Sequence, residues 1–549
     1  MKNFFRLLFI FYSTIHVSAQ QTVGLFSFSD SVQIGYTLFG PKYSKNSYLI
    51  DNCGNQQYLW SSDYTAGGSV ELLENGNLIR SCVYSNNSPI NGGGAGGRIE
   101  AIRPDQVIDW SIDLSNDTLR QHHDFEVLPN GNILIIIWEL ISMEEALSNG
   151  RDSSLITNAG LWSDYIIEYD PLNDSIVWEW HSWDHLVQDY DSSKSNYGII
   201  SQHSQLFNLN YSSNGDHPDW QHLNSIDYNE SLDIILICSP FWNEIYFIDH
   251  STTIEESSQH SGGNFEKGGD ILWRWGNPFT YGSADSSENL LFGQHDAHWI
   301  KNECPDSGKI ILFNNGKNRG QNPYSTVNII DQPEFYDGEF LKNASGSYLP
   351  NSFNYQYLDT TNTFFYSKIL SSAEQLPNGN ILINEGVKGH FFEINQNKNI
   401  VWDYVNPVVQ DSILTQETTV PGNTSMFFNA CFKTRKYSPN YSGISILDLK
   451  NSGPIEITSY DSSCDLTINV LNPLDINIFP NPAKNQISIS TQLPNCELEI
   501  SSIGGKLILK RDFDKNVSVN LNNLINGVYI INVTYNNNRK YAKFVKNGF

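Results

Sequence analysis

Histidine is sparse in this chain, thirteen in 549 residues, yet several stand where they could act together. The stretch "FGQHDAHWI" (292–300) carries His295 and His298, "QHHDFEV" (121–127) carries His122 and His123, and "WQHLNSIDY" (220–228) carries His222. Neutral imidazole, with an ordinary pKa of about 6.5, is both a nucleophile and a proton carrier at physiological pH. On a helix, His295 and His298 would share a face and could bind one ion. On a strand they would point to opposite sides. Downstream, "KIILFNNGKNRG" (309–320) ends a strand and brings Asn315 and Arg319 into a polar turn. A guanidinium can hold a tetrahedral anion through paired hydrogen bonds and stays charged at any relevant pH. His185, in "HSWDHLVQDY", is expected to be an ordinary loop histidine. "GGGAGG" (92–97) follows no strand–helix signal, so it is not expected to cradle phosphate. "DSSENL" and "DNCGN" lack calcium-loop spacing.

Whether these histidines meet depends on the elements that carry them. Charged residues are 17% of the chain and aromatics 13%, with abundant Asn, Ser, Gly and Tyr and few helical patterns. That balance predicts an all-β, turn-rich protein. "VELLENGNLIRS" (70–81), "FEVLPNGNILIII" (125–137) and "AEQLPNGNILINEG" (373–386) repeat one pattern: strand, Asn-Gly turn, strand. Asn-Gly is the strongest short hairpin signal, since both turn positions tolerate positive φ. "VIDWSID" (107–113), "IIEYDPLNDSIVWEW" (166–180), "DILWRWG" (270–276) and "FFEINQNKNIVWDY" (391–404) each add a strand, a turn and a strand rich in tryptophan. Four strands per unit at irregular spacing predict a β-propeller with tryptophans filling the interfaces between blades.

Six blades are expected: 67–113, 121–180, 221–275, 294–366 and 371–404, with the sixth joining 427–449 to 23–60. A small C-terminal β-sandwich should follow. In this frame His123 lies eight residues before Gly131, and His222 eight before Glu230 in the matching turn. His295 follows the same Gln-His-Asp opening as Gln121-His122-His123-Asp124. Three blades would thus deliver His123, His222 and His295 to the rim of one central channel. His298 is expected to pack between blades unless a bulge turns it inward.

The N-terminus, "MKNFFRLLFIFYSTIHVSAQQ", has a basic start, an apolar run and a small-residue cleavage site, which predicts a signal peptide over 1–19. The propeller is expected over 20–449, a linker over 450–472 and a separate module over 473–549. That module holds nine Lys/Arg against five Asp/Glu, whereas the whole chain carries −27. Such acidity argues against a general nucleic-acid partner. Seven scattered cysteines show no CxxC and no zinc spacing, so no metal is expected; one or two disulfides are possible, their pairing open.

Two resemblances add to these readings. "IFPNPAKNQISIS", "SSIGGKLILK", "NLINGVYIINV" and "KYAKFVKNG" resemble the type IX secretion C-terminal sorting domain. This implies recognition by that machinery, passage across a Gram-negative outer membrane, and release or surface attachment. "QHHDFEVLPNGNIL", "WQHLNSIDY", "FGQHDAH", "SSAEQLPNGNILINEG" and "CFKTRKYS", in this order, resemble the bacterial arylsulfate sulfotransferases. The resemblance implies a six-bladed propeller that moves a sulfuryl group from an aryl sulfate to a phenolic acceptor, without nucleotide donor or other cofactor. It implies a ping-pong route through a sulfohistidine, with His222, His295 and Arg319 matching the family's catalytic pattern and His123 beside them. Substrate contacts are expected from His298, Asn315 and Ser371. One departure stands out: the family's histidine in a late blade, the presumed sulfuryl carrier, is replaced here by Ser371, eight residues before Gly379. His390 lies beyond the hairpin and is no obvious substitute. The alternatives are an aryl sulfate hydrolase and a propeller that lost its nucleophile and became a surface binding protein.

Overall fold

The computed structural model describes residues 21–547 except 87, 360–364, 419–427, 458–463, 465–475, 492–493, 503–505 and 536–537. The expected signal peptide lies outside the described residues. The chain divides into two compact units, Met1–Cys464 and Asp465–Phe549.

The first unit is a β-propeller. Its six innermost strands are β1 (Ala66–Leu72), β2 (Leu119–Val127), β3 (Ser225–Asn229), β4 (His295–Trp299), β5 (Ser372–Gln375) and β6 (Cys431–Tyr437). Each begins an antiparallel sheet of four strands or more. Neighbouring inner strands touch in cyclic order, and β6 touches both β5 and β1, closing the ring. Closure comes from β6 pairing with Tyr36–Pro41, so one sheet is built from both ends of the unit.

Local chemistry explains these hairpins. In the turn after β2, the Gly131 amide donates to the Leu128 carbonyl at 2.9 Å and the Leu128 amide to Asn132 at 2.8 Å. Gly131 alone takes the left-handed backbone there, at φ 89°, and Gly76 and Gly379 do the same in their turns. The glycine is thus the required residue, and the preceding asparagine is not left-handed.

Apolar residues alternate into the seams between sheets. Trp178 and Trp180 pack with Ile235, Ile237 and Trp242. Trp273 and Trp275 pack with Trp299 and Leu312, and Trp402 with Phe39 and Ile50. Three segments depart from the sequence expectation. Gly24–Phe28 adds a fifth strand to the β5 sheet by pairing with Ile400–Val405, because its apolar face meets that edge. Ser442–Ile446, expected as a strand, forms a short helix. Residues 450–457, expected in the linker, are tied to the propeller: Lys450 and Ser452 amides donate to Gln57 and Gln56 carbonyls at 2.9 Å. Cys53 and Cys464 form a disulfide; Cys82, Cys238, Cys304, Cys431 and Cys496 are buried.

The second unit is a β-sandwich of a three-stranded and a four-stranded sheet around Ile487, Ile489, Leu498, Ile500, Ile531 and Phe544.

Candidate active site

Within or just before four inner strands, a non-glycine residue takes the left-handed backbone: His123 (φ 52°), His222 (59°), Asp296 (58°) and Ser371 (87°). Such a backbone costs on the order of 1–3 kcal/mol per residue and persists only where surroundings impose it. The strain kinks the strand. Along β2, Gln121 pairs with Ile137 but Phe125 pairs with Ile135, so four residues advance where the partner uses two. The surplus lifts His122 and His123 out of the ladder.

The lifted side chains converge. The His123 ring meets His222 edge-on, centroids 4.6 Å apart, and His122 Nδ1 lies 2.8 Å from His123 Nδ1. His122 stacks on Trp138 at 3.8 Å. Its Nε2 is 2.8 Å from Asp164 Oδ1, though off the line of a good hydrogen bond. His222 Nδ1 lies 2.5 Å from Asp219 Oδ2, and its ring stacks on Phe241 at 4.3 Å. An ionised carboxylate only accepts, so His222 carries a proton on Nδ1, and Nε2 is the nitrogen left to exchange a proton with a substrate.

His295 stands across Phe432 from His123, the two imidazoles 6.4 and 5.7 Å from that ring. Its Nδ1 donates to Asn315 Oδ1 at 2.9 Å and lies 3.1 Å from the Gly293 carbonyl; its Nε2 accepts from the Leu370 amide at 3.2 Å. Asn315 is itself fixed, its amide NH₂ donating to Ser367 and Leu370 carbonyls at 2.7 and 2.9 Å.

Burial keeps the His122, His123 and His295 imidazoles neutral. Burial, then the neighbouring His222, pushes His122 and His123 well below the ordinary histidine value. His122, His295 and Lys42 press further on His123. Burial brings His295 down to about 4 against the opposing hydrogen bond from Asn315. Burial, then Asp219, pushes the Asp164 carboxyl well above its ordinary range. Lys42 is lowered to about 8 by burial.

The glycine-rich segment 92–97, set aside as a phosphate loop, roofs this cluster. A Cβ on Gly94 would overlap the His123 ring, and one on Gly93 would lie 3.7 Å from His222 Cε1. Gly92 packs on Trp162 and Trp138, where a Cβ would come within 3.1 and 3.2 Å. The segment also pairs with β2, the His123 amide donating to the Gly94 carbonyl at 2.9 Å. A cavity of about 200 Å³ opens beside Phe241 and Gly293 and includes Lys317, whose Nζ lies 5.6 Å from the Phe241 ring centre.

The remaining expected residues fare differently. His298 is not on the face opposite His295. The β4 bulge makes His295 pair with Phe313 and His298 with Ile311, two apart, so both face the β5 side. There His298 Nδ1 contacts the Asp296 carbonyl at 2.9 Å, below the cluster. Arg319 makes no described contact with the histidines; its guanidinium sits 5.0 Å from the Phe292 ring and 4.6 Å from Tyr324. Ser371 does hold the register of His123, but its hydroxyl is engaged with Ser367 at 2.9 Å and accepts from the Gly386 amide at 2.9 Å. His185 is fully buried against Asp270 rather than loose in a loop. His390 is clamped between Glu385 (2.7 Å) and Asp403 (2.8 Å), outside the cluster.

Sequence reasoning missed Asp219, Asp164, His122, Trp138 and Phe432 as parts of the site. Asp219 was findable, three residues before His222 in "DWQH". Asp164 was not, since only the fold brings it to His122.

Below the histidines the channel is charged. Arg435 grips Asp296 with two hydrogen bonds, at 2.6 and 3.0 Å, and Lys433 bridges Asp296 at 3.2 Å and Asp124. Burial alone would raise Asp296, but Arg435 and then Lys433 outweigh it and hold the carboxyl well below its ordinary range.

The chain was compared with known proteins. Residues 37–426 match the arylsulfotransferase (ASST) family model, and residues 477–547 match the secretion system C-terminal sorting domain. None of the curated proteins matches the chain. Among solved structures, virginiamycin B lyase from Staphylococcus aureus is 11% identical, covering 71% of this chain and 90% of its own, with a TM-score of 0.30. PorZ of the Porphyromonas gingivalis type-IX secretion system is 9% identical, covering 92% and 74%, with a TM-score of 0.20. The chain belongs to the arylsulfotransferase family, and its type IX sorting domain makes it a secreted or cell-surface protein of a Bacteroidetes-type Gram-negative bacterium.

Proposed function

We propose that the protein transfers a sulfuryl group from an aryl sulfate to a phenol, with His123 as the carrier. The observation that carries this is the chain Asp164–His122–His123 meeting the Asp219–His222 pair at one point. With Asp164 ionised, His122 holds its proton on Nε2 and accepts from His123 Nδ1–H. His123 Nε2 then keeps its lone pair. That nitrogen attacks sulfur, the S–N bond forms, and the S–O bond to the aryl group breaks.

Sulfonation makes the His123 Nδ1 proton acidic. It passes to His122 Nδ1 as His122 Nε2–H moves to Asp164, whose carboxyl burial has made unusually basic. His222, protonated at the start of the half-reaction, gives the Nε2 proton to the departing phenolate. The acceptor phenol then loses its proton to the same Nε2, its oxygen attacks sulfur, the S–N bond breaks, and the proton held on Asp164 returns through His122 to His123 Nδ1. Phe241 and Phe432 offer apolar rings to both arenes. The cations that support this reading as anion partners are Lys42, beside His123, and Lys317, at the cavity, rather than Arg319. Under this assignment the serine at position 371 is no loss, since the carrier has moved to another blade.

The mature chain is incubated with a chromogenic aryl sulfate, with and without phenol. Phenolate release that depends on acceptor is expected, and release without acceptor would indicate hydrolysis. The engaged Ser371 hydroxyl favours one rival, a binding propeller. A folded protein inert toward several donors would establish that rival.

A further inference from the structure

A cavity of about 980 Å³ shares no lining residue with the histidine cluster. His260 and Asp270 stand on its wall, and His185 lies behind them. Asp270 Oδ1 is 2.8 Å from His185 Nδ1 and 2.7 Å from His260 Nδ1. One ligand atom from each of the three residues lies within 4.8 Å of the others.

The tautomer of His185 makes this geometry informative. Its Nε2 is 2.9 Å from the Ser257 carbonyl, which can only accept, so Nε2 carries a proton. In the neutral ring Nδ1 is then a lone pair, aimed at a carboxylate oxygen that is also an acceptor. Two acceptors at 2.8 Å repel unless a cation lies between them. The same oxygen faces a second imidazole nitrogen. With protons alone, His260 could donate from Nδ1 as a neutral ring, but His185, already protonated on Nε2, would have to be a fully buried imidazolium. A single metal cation satisfies all three groups.

We propose that His185 Nδ1, His260 Nδ1 and the Asp270 carboxylate form a site for a divalent transition metal of the zinc type. Two imidazoles and a carboxylate are a recurrent zinc donor set. The Ser257 carbonyl plays the orienting part that outer partners play for metal-bound histidines, and Trp180, stacked 5.9 Å from His185, fixes the ring plane. Metal–ligand bonds of about 2.0–2.1 Å would spread the donor atoms to about 3.3 Å, an opening of about half an ångström. The fourth position opens to the cleft. The site joins two chain segments far apart in sequence: the turn Ser182–Asp184 with His185, and the insertion that carries Ile254–Ser257 before Trp273–Trp275. No cysteine takes part, which is why cysteine spacing gave no sign of it.

The mature chain, stripped with chelator and dialysed, is titrated with Zn²⁺ and with Co²⁺. The proposal expects one saturable equivalent, four-coordinate cobalt absorption bands, and a melting temperature that rises with metal. His260→Ala and Asp270→Asn should each weaken binding by about tenfold or more. His260 has a 61% exposed side chain, so its variant keeps the fold, and His123→Asn should bind metal as the wild type does. Absence of saturable binding to the wild type overturns the proposal and leaves a proton-held cluster. Binding that survives His260→Ala overturns it equally, placing the metal elsewhere.

Discussion

Neighbouring residues along the same inner strands divide into two layers with opposite electrostatics. His123 precedes Asp124, His295 precedes Asp296, and Phe432 precedes Lys433. The upper layer holds the imidazoles, roofed by glycines. The lower layer holds Asp124, Asp296, Lys433 and Arg435 in mutual ion pairs. A charge buried without a partner is costly, so the lower layer is closed upon itself and has no group free for chemistry. Under the proposed tautomers the upper layer leaves a lone pair at His123 Nε2 and an exchangeable proton at His222 Nε2. The strands thus gain their order from one layer and their reactivity from the layer beside it.

Substitutions should separate the two. His123→Asn, whose side chain tolerates left-handed backbone, is expected to lower transfer by more than about 10³-fold while the thermal transition stays near the wild-type value. Asp219→Asn, which replaces the charged acceptor of His222 Nδ1–H with a neutral amide, should lower kcat by about 10²-fold or more with a smaller change in KM. Arg435→Met should leave Asp296 buried with only Lys433 and cost about 3–5 kcal/mol in urea unfolding, with activity per folded molecule largely kept. Equal loss of fold in the His123 variant, or loss of chemistry alone in the Arg435 variant, would erase the distinction.

Acid should act on both layers in one direction. The folded protein holds His295 at about 4, below the unfolded value of about 6.5, so the unfolded state binds more protons. Its contribution is present above about 6.5 and is lost as pH falls toward 4. Asp296, held low by Arg435 and Lys433, adds a second loss below the ordinary carboxylate range. His250 and His390 behave oppositely. Burial lowers each, but paired carboxylates outweigh it and raise them to about 9, so their stabilisation is lost as pH rises through 9. Unfolding free energy measured from pH 4 to 10 should therefore fall at both ends, and His390→Gln should flatten only the alkaline side. The smallest effect belongs to Arg319→Ala. With contacts confined to Phe292 and Tyr324, it should change kcat/KM by only a few-fold; a loss near that of His123→Asn would restore Arg319 to the site.

Much of this was legible in residue order. The repeated turns set a common register, and the same count places His123, His222 and Ser371 at positions within or before the inner strands where the backbone turns left-handed. Alternation failed where the backbone does not alternate. The β4 bulge puts His295 and His298 on one side, and no local pattern announces a bulge. Long-range partners were also hidden. Asp164 sits in an apolar strand, and Arg435 in a basic run whose partner Asp296 lies 139 residues away in sequence. Glycines 92–97 were visible, but their use depends on the histidines beneath them, which are not neighbours in sequence.

The central claim is that His123 carries the sulfuryl group. Mature protein is mixed with aryl sulfate in the absence of acceptor, quenched at alkaline pH, digested and analysed by mass spectrometry. A gain of one SO₃ on the peptide containing His123, lost on adding phenol and absent in His123→Asn, is the predicted result. A gain on another residue, or phenolate release with no labelled enzyme, would contradict it.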